Sequence, residues 1–338
     1  MRREFTLAPA GEPKPWQLGA VVAVLTAVTF VAAYATGCGD SGHAERDIGV
    51  DSGEVAVTSS PTPPTTLAEA VTRAAISGPV AFADAEAAYR DKRYGEATAL
   101  FTAYSERRPE NPWGHYMLGL SAWKAGHADR AVPAFERVLE RDSTHVKALL
   151  NLSRVLLEIG RSEDAIQRIE RVVGSDSTLG EAWRVLGRAR AELDQVDGAI
   201  EAYQRALALD DGDAWSMNNL GLLHVREGRF EEALPPLARV VELRPDVAAF
   251  QNNLGIALER AGQYGAAGTA YRAALAADSA HAKASVSLAR VEGKLDSVGV
   301  VPVDLAALAR GFVAETARWR EEFGVGAAET PSKPEPAR

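Results

Sequence analysis

Between residues 78 and 281 the apolar positions fall into stripes at helical spacing, two stripes in every 34 residues. The turn between them often carries glycine, as at Gly126, Gly160, Gly228 and Gly262. Leu118, Leu152, Leu186, Leu220 and Leu254 stand one period apart, each followed by a small residue: Gly119, Ser153, Gly187, Gly221 or Gly255. Further on in each unit comes Ala131, Ala165, Ala199, Ala233 or Ala267. One helical turn later stands a larger side chain, Phe135, Ile169, Tyr203, Leu237 or Tyr271. An earlier unit keeps the frame with Ala85, Ala97 and Phe101. The pattern predicts six gapless helix pairs, 78–111, 112–145, 146–179, 180–213, 214–247 and 248–281. The small residues mark a close helix crossing, where a larger side chain would overpack. The large residue lies on the same face one turn on and fills the space against the next unit. One pair cannot bury both its faces, so neighbours must stack.

These motifs resemble the tetratricopeptide-repeat family. The fullest matches are Trp183-Arg184-Val185-Leu186-Gly187 with Ala199, Tyr203 and Ala206, and the unit carrying Leu254, Gly255, Ala267, Tyr271 and Ala274. The resemblance implies an all-α fold, a right-handed superhelical solenoid of antiparallel helix pairs. Asp84 departs from it by replacing an apolar residue in the first unit, and the unit-ending proline survives only as Pro109 and Pro245. Pro133, Pro235 and Pro236 fall early in second helices, where free N–H groups make proline tolerable. Thr66-Leu67-Ala68-Glu69 is a capping-box pattern that opens a short N-terminal cap helix over 67–77. After the sixth unit, 282–325 predicts one more first helix. A C-terminal cap helix follows Asp304, with Leu305, Leu308, Phe312, Val313 and Trp319 on or near one stripe. Residues 326–338 read as a disordered tail.

The first residues have a different character. Leu18 to Thr36 carries no charge, long enough to span a bilayer at about 1.5 Å per residue. Arg2, Arg3 and Lys14 precede it and acidic residues dominate after it, which places the following chain on the exported side. Ala35-Thr36-Gly37-Cys38 resembles the lipobox of bacterial lipoproteins, although leucine is usual where Ala35 stands. That likeness implies cleavage before Cys38 and lipidation of its sulfur. An uncleaved anchor over 1–37 is the alternative. Residues 38–66 are rich in Gly, Ser, Thr and Pro without apolar periodicity and read as a disordered tether.

Composition narrows the function. The net charge of −9 argues against nucleic acid as a partner, which needs a basic surface. The single cysteine forms no internal disulfide or thiolate cluster. There is no phosphate loop, no dinucleotide fingerprint and no paired-histidine zinc motif, so no metal, cofactor or catalytic residue is expected. Gly39-Asp40-Ser41-Gly42 has the look of a protease nucleophile motif but sits in the tether. Asp210-Asp211-Gly212-Asp213 lacks the alternating spacing of a calcium loop.

In the tetratricopeptide-repeat family, positions 2, 5, 6, 9, 12 and 13 of each first helix line the inner groove. Carried over, they mark Lys147, Asn151, Arg154, Arg184, Arg188, Asn218, Asn219, Arg226, Asn252, Asn253 and Arg260, with Arg290 beyond the sixth unit, as partner-binding candidates. Aromatic Phe82, Tyr89, Trp113, Tyr116, Trp123 and Trp215 join them. Basic groups outnumber acidic ones along these positions, whereas acidic groups prevail over the whole block 78–281. Asn151, Asn219 and Asn253 resemble the asparagine ladder of O-GlcNAc transferase repeats, which implies contact with a peptide backbone. The expected function is a non-catalytic, membrane-tethered interaction scaffold on the periplasmic face of the bacterial envelope. It would bind an extended protein segment, with acidic groups, in the groove. Resemblance to envelope repeat lipoproteins implies help in assembling an envelope machine. A self-associating structural protein, or a non-catalytic subunit of an envelope enzyme, is the alternative.

Overall fold

The computed structural model describes residues 80–296 and 301–326. The apolar N-terminal segment, Cys38, the tether, the 67–77 helix and the tail beyond 326 lie outside the described residues. Within them the chain is all-α, a superhelical stack of antiparallel pairs. The pairs are α1 (Phe82–Arg90) with α2 (Tyr94–Arg107), α3 (Pro112–Lys124) with α4 (Ala128–Arg141), and α5 (Val146–Glu158) with α6 (Ser162–Ser175). Next come α7 (Gly180–Glu192) with α8 (Val196–Leu209), α9 (Ala214–Arg226) with α10 (Phe230–Leu243), and α11 (Ala248–Arg260) with α12 (Tyr264–Ala277). A lone first helix α13 (Ala282–Val291) and a longer helix α14 (Leu305–Glu322) complete the described chain.

The register matches the 34-residue frame. In units two to six the first helix begins on the unit's first residue. The turn to the second helix places one left-handed residue at the same position of every unit: Gly126, Gly160, Gly228 and Gly262, but Lys92 (φ 60°) and Asp194 (φ 55°) in units one and four. Glycine takes that conformation without a Cβ penalty, which the other two residues bear. N-caps set several entries. Asn111 accepts from the amides of Trp113 and Gly114, with Pro112 pre-organised at the first helical position. Asp213 caps α9, and the Nδ1 atoms of His145 and His281 accept amide bonds at the starts of α5 and α13.

The core is the predicted crossing. Ala97, Ala131, Ala165, Ala199, Ala233 and Ala267 are fully buried, and Phe101, Phe135, Ile169, Tyr203, Leu237 and Tyr271 almost so. A Cβ on Gly187 would come within 2.7 Å of Tyr203, and one on Gly255 within 2.5 Å of Tyr271, so hydrogen is what allows the helices to meet. In unit three Ser153 takes the place of glycine and turns its hydroxyl to the carbonyl of Leu149 at 2.8 Å. Pro133, Pro235 and Pro236 are sixth or seventh in their helices, beyond the free N–H groups of the first turn. Each therefore removes a ladder bond from a helix that continues through it.

First helices of neighbouring units touch one another, from α1 and α3 through α11 and α13, whereas successive second helices do not. The stack must therefore curve with its first helices inside and its second helices spread outside. Expected as a cap on the end, α14 instead returns along the outside and packs on α10 and α8. The connector is tied back over the start of α12 by Gly265 N–H donating to Asp296 (2.9 Å) and by Gln263 donating to the Val301 carbonyl. This shifts the α14 stripe: Ala309, Phe312, Thr316 and Trp319 are buried, while Val313 is exposed. Arg320 donates to the Ala208 carbonyl (3.1 Å) and pairs with Asp211 (3.2 Å).

The inner face as a candidate interaction site

The inner face takes different chemistry along its length. At its N-terminal end aromatic rings dominate. Trp113 stacks on Tyr116 with centroids 5.2 Å apart and planes at 22°, and Tyr116 meets Phe135 and His145 behind it. Trp113 is 48% exposed, so this large flat ring has a supported side and an accessible one. Trp123 donates its indole N–H to Glu158 (2.7 Å) and carries the ammonium of Lys124 over its ring at 4.8 Å. Burial raises the proton affinity of the Tyr116 phenol, which accepts a bond from Asn151 at 3.0 Å.

At the C-terminal end amides join the rings, with partly exposed Trp215 meeting Phe250 edge to face at 5.1 Å. Asn218, Asn252 and Asn253 are fully buried. They form a directional chain: Asn252 donates to Asn253 (3.5 Å), Asn253 to Asn218 (2.9 Å) and Asn218 to Asn219 (3.4 Å). Asn219 alone of the four is partly accessible. The expected ladder of backbone-reading amides thus bonds mostly to itself, and Asn151 is likewise held by Tyr116 and Arg154. The cross-unit bonds share one arithmetic. Tyr116–Asn151, Trp123–Glu158, Ala191–Arg226 and Asn218–Asn253 each join residues 35 apart, one repeat plus one residue.

The arginines expected to make the groove basic are also engaged. Arg154 pairs with Glu181, and Arg184 with Asp213 (2.8 Å) and, more loosely, Glu181 (3.6 Å). Arg188 pairs with Glu192 at 3.0 Å. Arg226 donates to the Ala191 carbonyl and approaches Asp194. Arg290 and Glu259 form a two-pronged pair at 2.7 and 2.8 Å, completed by the Tyr271 hydroxyl at 2.8 Å. Burial alone would raise the Glu259 carboxyl, but the bonds from Arg290 and Tyr271 outweigh it and hold it below its usual range. Lys147 and Arg260 remain exposed, without an ion pair among the described residues. Asp213 ends the turn between units four and five. Its cap on α9 and its bond to Arg184 join that turn to the inner face, and turn composition alone does not reveal this.

Among the described residues no three His, Cys, Asp or Glu side chains are placed to hold a metal ion, and no helix is long and apolar enough to cross a membrane. Two family models, each described as a tetratricopeptide repeat, match residues 116–179 with 218–282, and residues 178–246. A comparison with curated proteins returns no match. Among solved structures, "PilW, widely conserved type IV pilus biogenesis factor" superposes with a TM-score of 0.56 at 15% identity, covering 65% of this chain and 98% of that one. The "APC/C hetero-tetramer Cut9-Hcn1" gives 0.53 at 18% identity over 61% of this chain and 40% of that one. A MamA protein gives 0.44 at 26% identity over 57% and 98%. PilW and Cut9-Hcn1 share the fold.

Proposed function

Because this chain belongs to the tetratricopeptide-repeat superfamily, we propose that it is a non-catalytic protein-interaction scaffold. Its inner face would take an extended acidic segment of a partner, chiefly along units one to three. The observation that carries this is the exposed Trp113 ring, backed by Tyr116, on a face whose exposed Lys124 and Lys147 make no ion pair among the described residues. A flat, supported ring gives contact area at low entropic cost. Lys147 on the next unit and Lys124 beside Trp123 supply positive charge within the same strip. Asn219 and Arg260 extend the strip as weaker contacts, whereas Arg184 serves first as a tie to the cap of the next unit and Arg188 pairs along its own helix. An array of short unstructured peptides tests this. The captured peptides should be enriched in Asp and Glu, and Trp113→Ala with Lys147→Glu should abolish capture while the outer-face change Arg137→Glu does not. Capture that ignores the inner-face pair and fails with Arg137→Glu would place the partner on the outside.

The scaffold would be held at a bacterial membrane through Cys38 or through the apolar 18–36 segment, facing the periplasm and aiding assembly of an envelope complex. This rests on the sequence of that segment. Cys38→Ser should leave a longer precursor, read by mass spectrometry of the N-terminus; an intact Met1 in the mature wild-type protein would favour the uncleaved anchor. Self-association is a second reading, favoured by α13, which has no second helix paired with it among the described residues and whose Val286 is 65% exposed. Light scattering of the chain over a concentration series separates a monomeric binder from an end-to-end stack.

A further inference from the structure

Where α14 crosses units four and five it leaves a cleft of about 420 Å³ on the outer face. We propose that this cleft binds a guanidinium or ammonium group, as a second recognition site for a basic side chain of a partner. It stands independently of the inner-face reading. The floor is Leu220 and His224 of α9, one side is Glu232 of α10, and α14 contributes Phe312, Glu315 and Trp319. The remaining charged groups on the lining are Arg229 and Glu231, so carboxylates outnumber cations there.

Three observations select a cation. His224 is 8% exposed and its Nδ1 makes no hydrogen bond, lying 3.5 Å from a carboxylate oxygen of Glu232. Burial, against the attraction of Glu232, depresses its proton affinity, so near neutral pH it is an uncharged ring suited to a donor from a ligand. Glu315 has no ion pair among the described residues, and Glu232 has only Arg229 at 3.8 Å and the His224 contact. Burial pushes the Glu315 carboxyl upward against the opposing pull of Arg318, with a smaller upward push from Glu232. A ligand cation would relieve both effects. Finally, Phe312 and Trp319 meet edge to face at 5.7 Å, giving the cleft an aromatic wall. A guanidinium suits this set because it carries five N–H donors and no acceptor. An anion meets repulsion there, and a neutral amide lacks the charge.

The test follows the Trp319 indole N–H by NMR in the full chain, assigned with Trp319→Phe. The probes are methylguanidinium, urea as its uncharged counterpart, and a short peptide with one arginine, at matched ionic strength. Methylguanidinium should give a saturable shift, weakened about tenfold in Glu232→Gln and in Glu315→Gln, the loss of one charge-assisted pair. Urea should give none, and binding should weaken as pH falls and the carboxyls protonate. The arginine peptide binding more tightly than methylguanidinium supports a partner's side chain as the source. Equal affinity overturns that source and assigns the cleft to a free cation. A urea response equal to that of methylguanidinium, or a shift untouched by both glutamine variants while their circular dichroism matches the parent, overturns the site. Trp113→Ala should leave the response unchanged, which separates this result from failure of the inner face.

Discussion

The first three units and the last three share one backbone register and spend their inner faces differently. In units one and two, first-helix positions hold Tyr89, Trp113, Tyr116 and Trp123, partly exposed or just beneath the surface. In units five and six the equivalent region holds Asn218, Asn252 and Asn253, fully buried and bonded to one another, followed by the Arg290–Glu259 pair. Buried amides are costly unless satisfied, so they fix how one unit sits on the next. Of the rings, Tyr116 and Trp123 also bond to the next unit through Asn151 and Glu158, whereas the half-exposed Trp113 offers contact area outward. The C-terminal amides therefore serve the stack alone, whereas the N-terminal rings both join units and leave Trp113 exposed.

The largest effect should come from the core that both halves share. Ala233→Phe places a ring where Leu237 already fills the crossing, costing roughly 1–3 kcal/mol, read as a lower denaturation midpoint. Ala131→Phe should cost as much at first contact. The Ala233 variant should also loosen α14, which packs on α10; hydrogen exchange would report this. Next, Asn253→Ala should lose about 1–3 kcal/mol by stranding the Asn218 carbonyl, with little effect on peptide capture. Trp113→Ala should do the reverse, since its ring is half-exposed. Equal stability losses from these two would erase the distinction between the halves.

A pH effect is expected at the C-terminal end. The folded Glu259 carboxyl is held below its unfolded value, so its contribution to stability is present above that value and disappears as pH falls through the folded one. Acid should therefore loosen α11–α13 progressively as the pH falls below the unfolded carboxyl value, completing only below the ordinary carboxylate range, as read by hydrogen exchange, and Glu259→Gln should remove that step. The smallest effect concerns the turns. Lys92→Gly should gain roughly 0.5 kcal/mol, because relief at positive φ exceeds the added freedom of the unfolded chain. No change in midpoint would show that Lys92 bears little strain.

The units and their crossing were legible because each depends on neighbours within one 34-residue period, as Gly255 and Tyr271 illustrate. The turns at Lys92 and Asp194 carried no glycine to signal a left-handed residue, although the frame itself marks their position. The inner-face candidates were found by position, but their state was not, because whether Arg184 is available depends on Asp213 in the following turn. The spacing of 35 that joins Tyr116 to Asn151 was present in the sequence, hidden by a search for residues in identical register. The seat of α14 had no local signal: Arg320 meets Asp211 across more than a hundred residues. The same return lays Phe323 against Arg205, whose guanidinium lies over the rings of both Trp183 and Phe323.

The division of labour along the inner face is tested most directly by hydrogen exchange of the full chain with and without an acidic peptide taken from the array. The account predicts new protection in α3 and α5, over residues 112–158, with α9 and α11 unchanged. Protection confined to residues 214–260, with α3 and α5 unaffected, would contradict it.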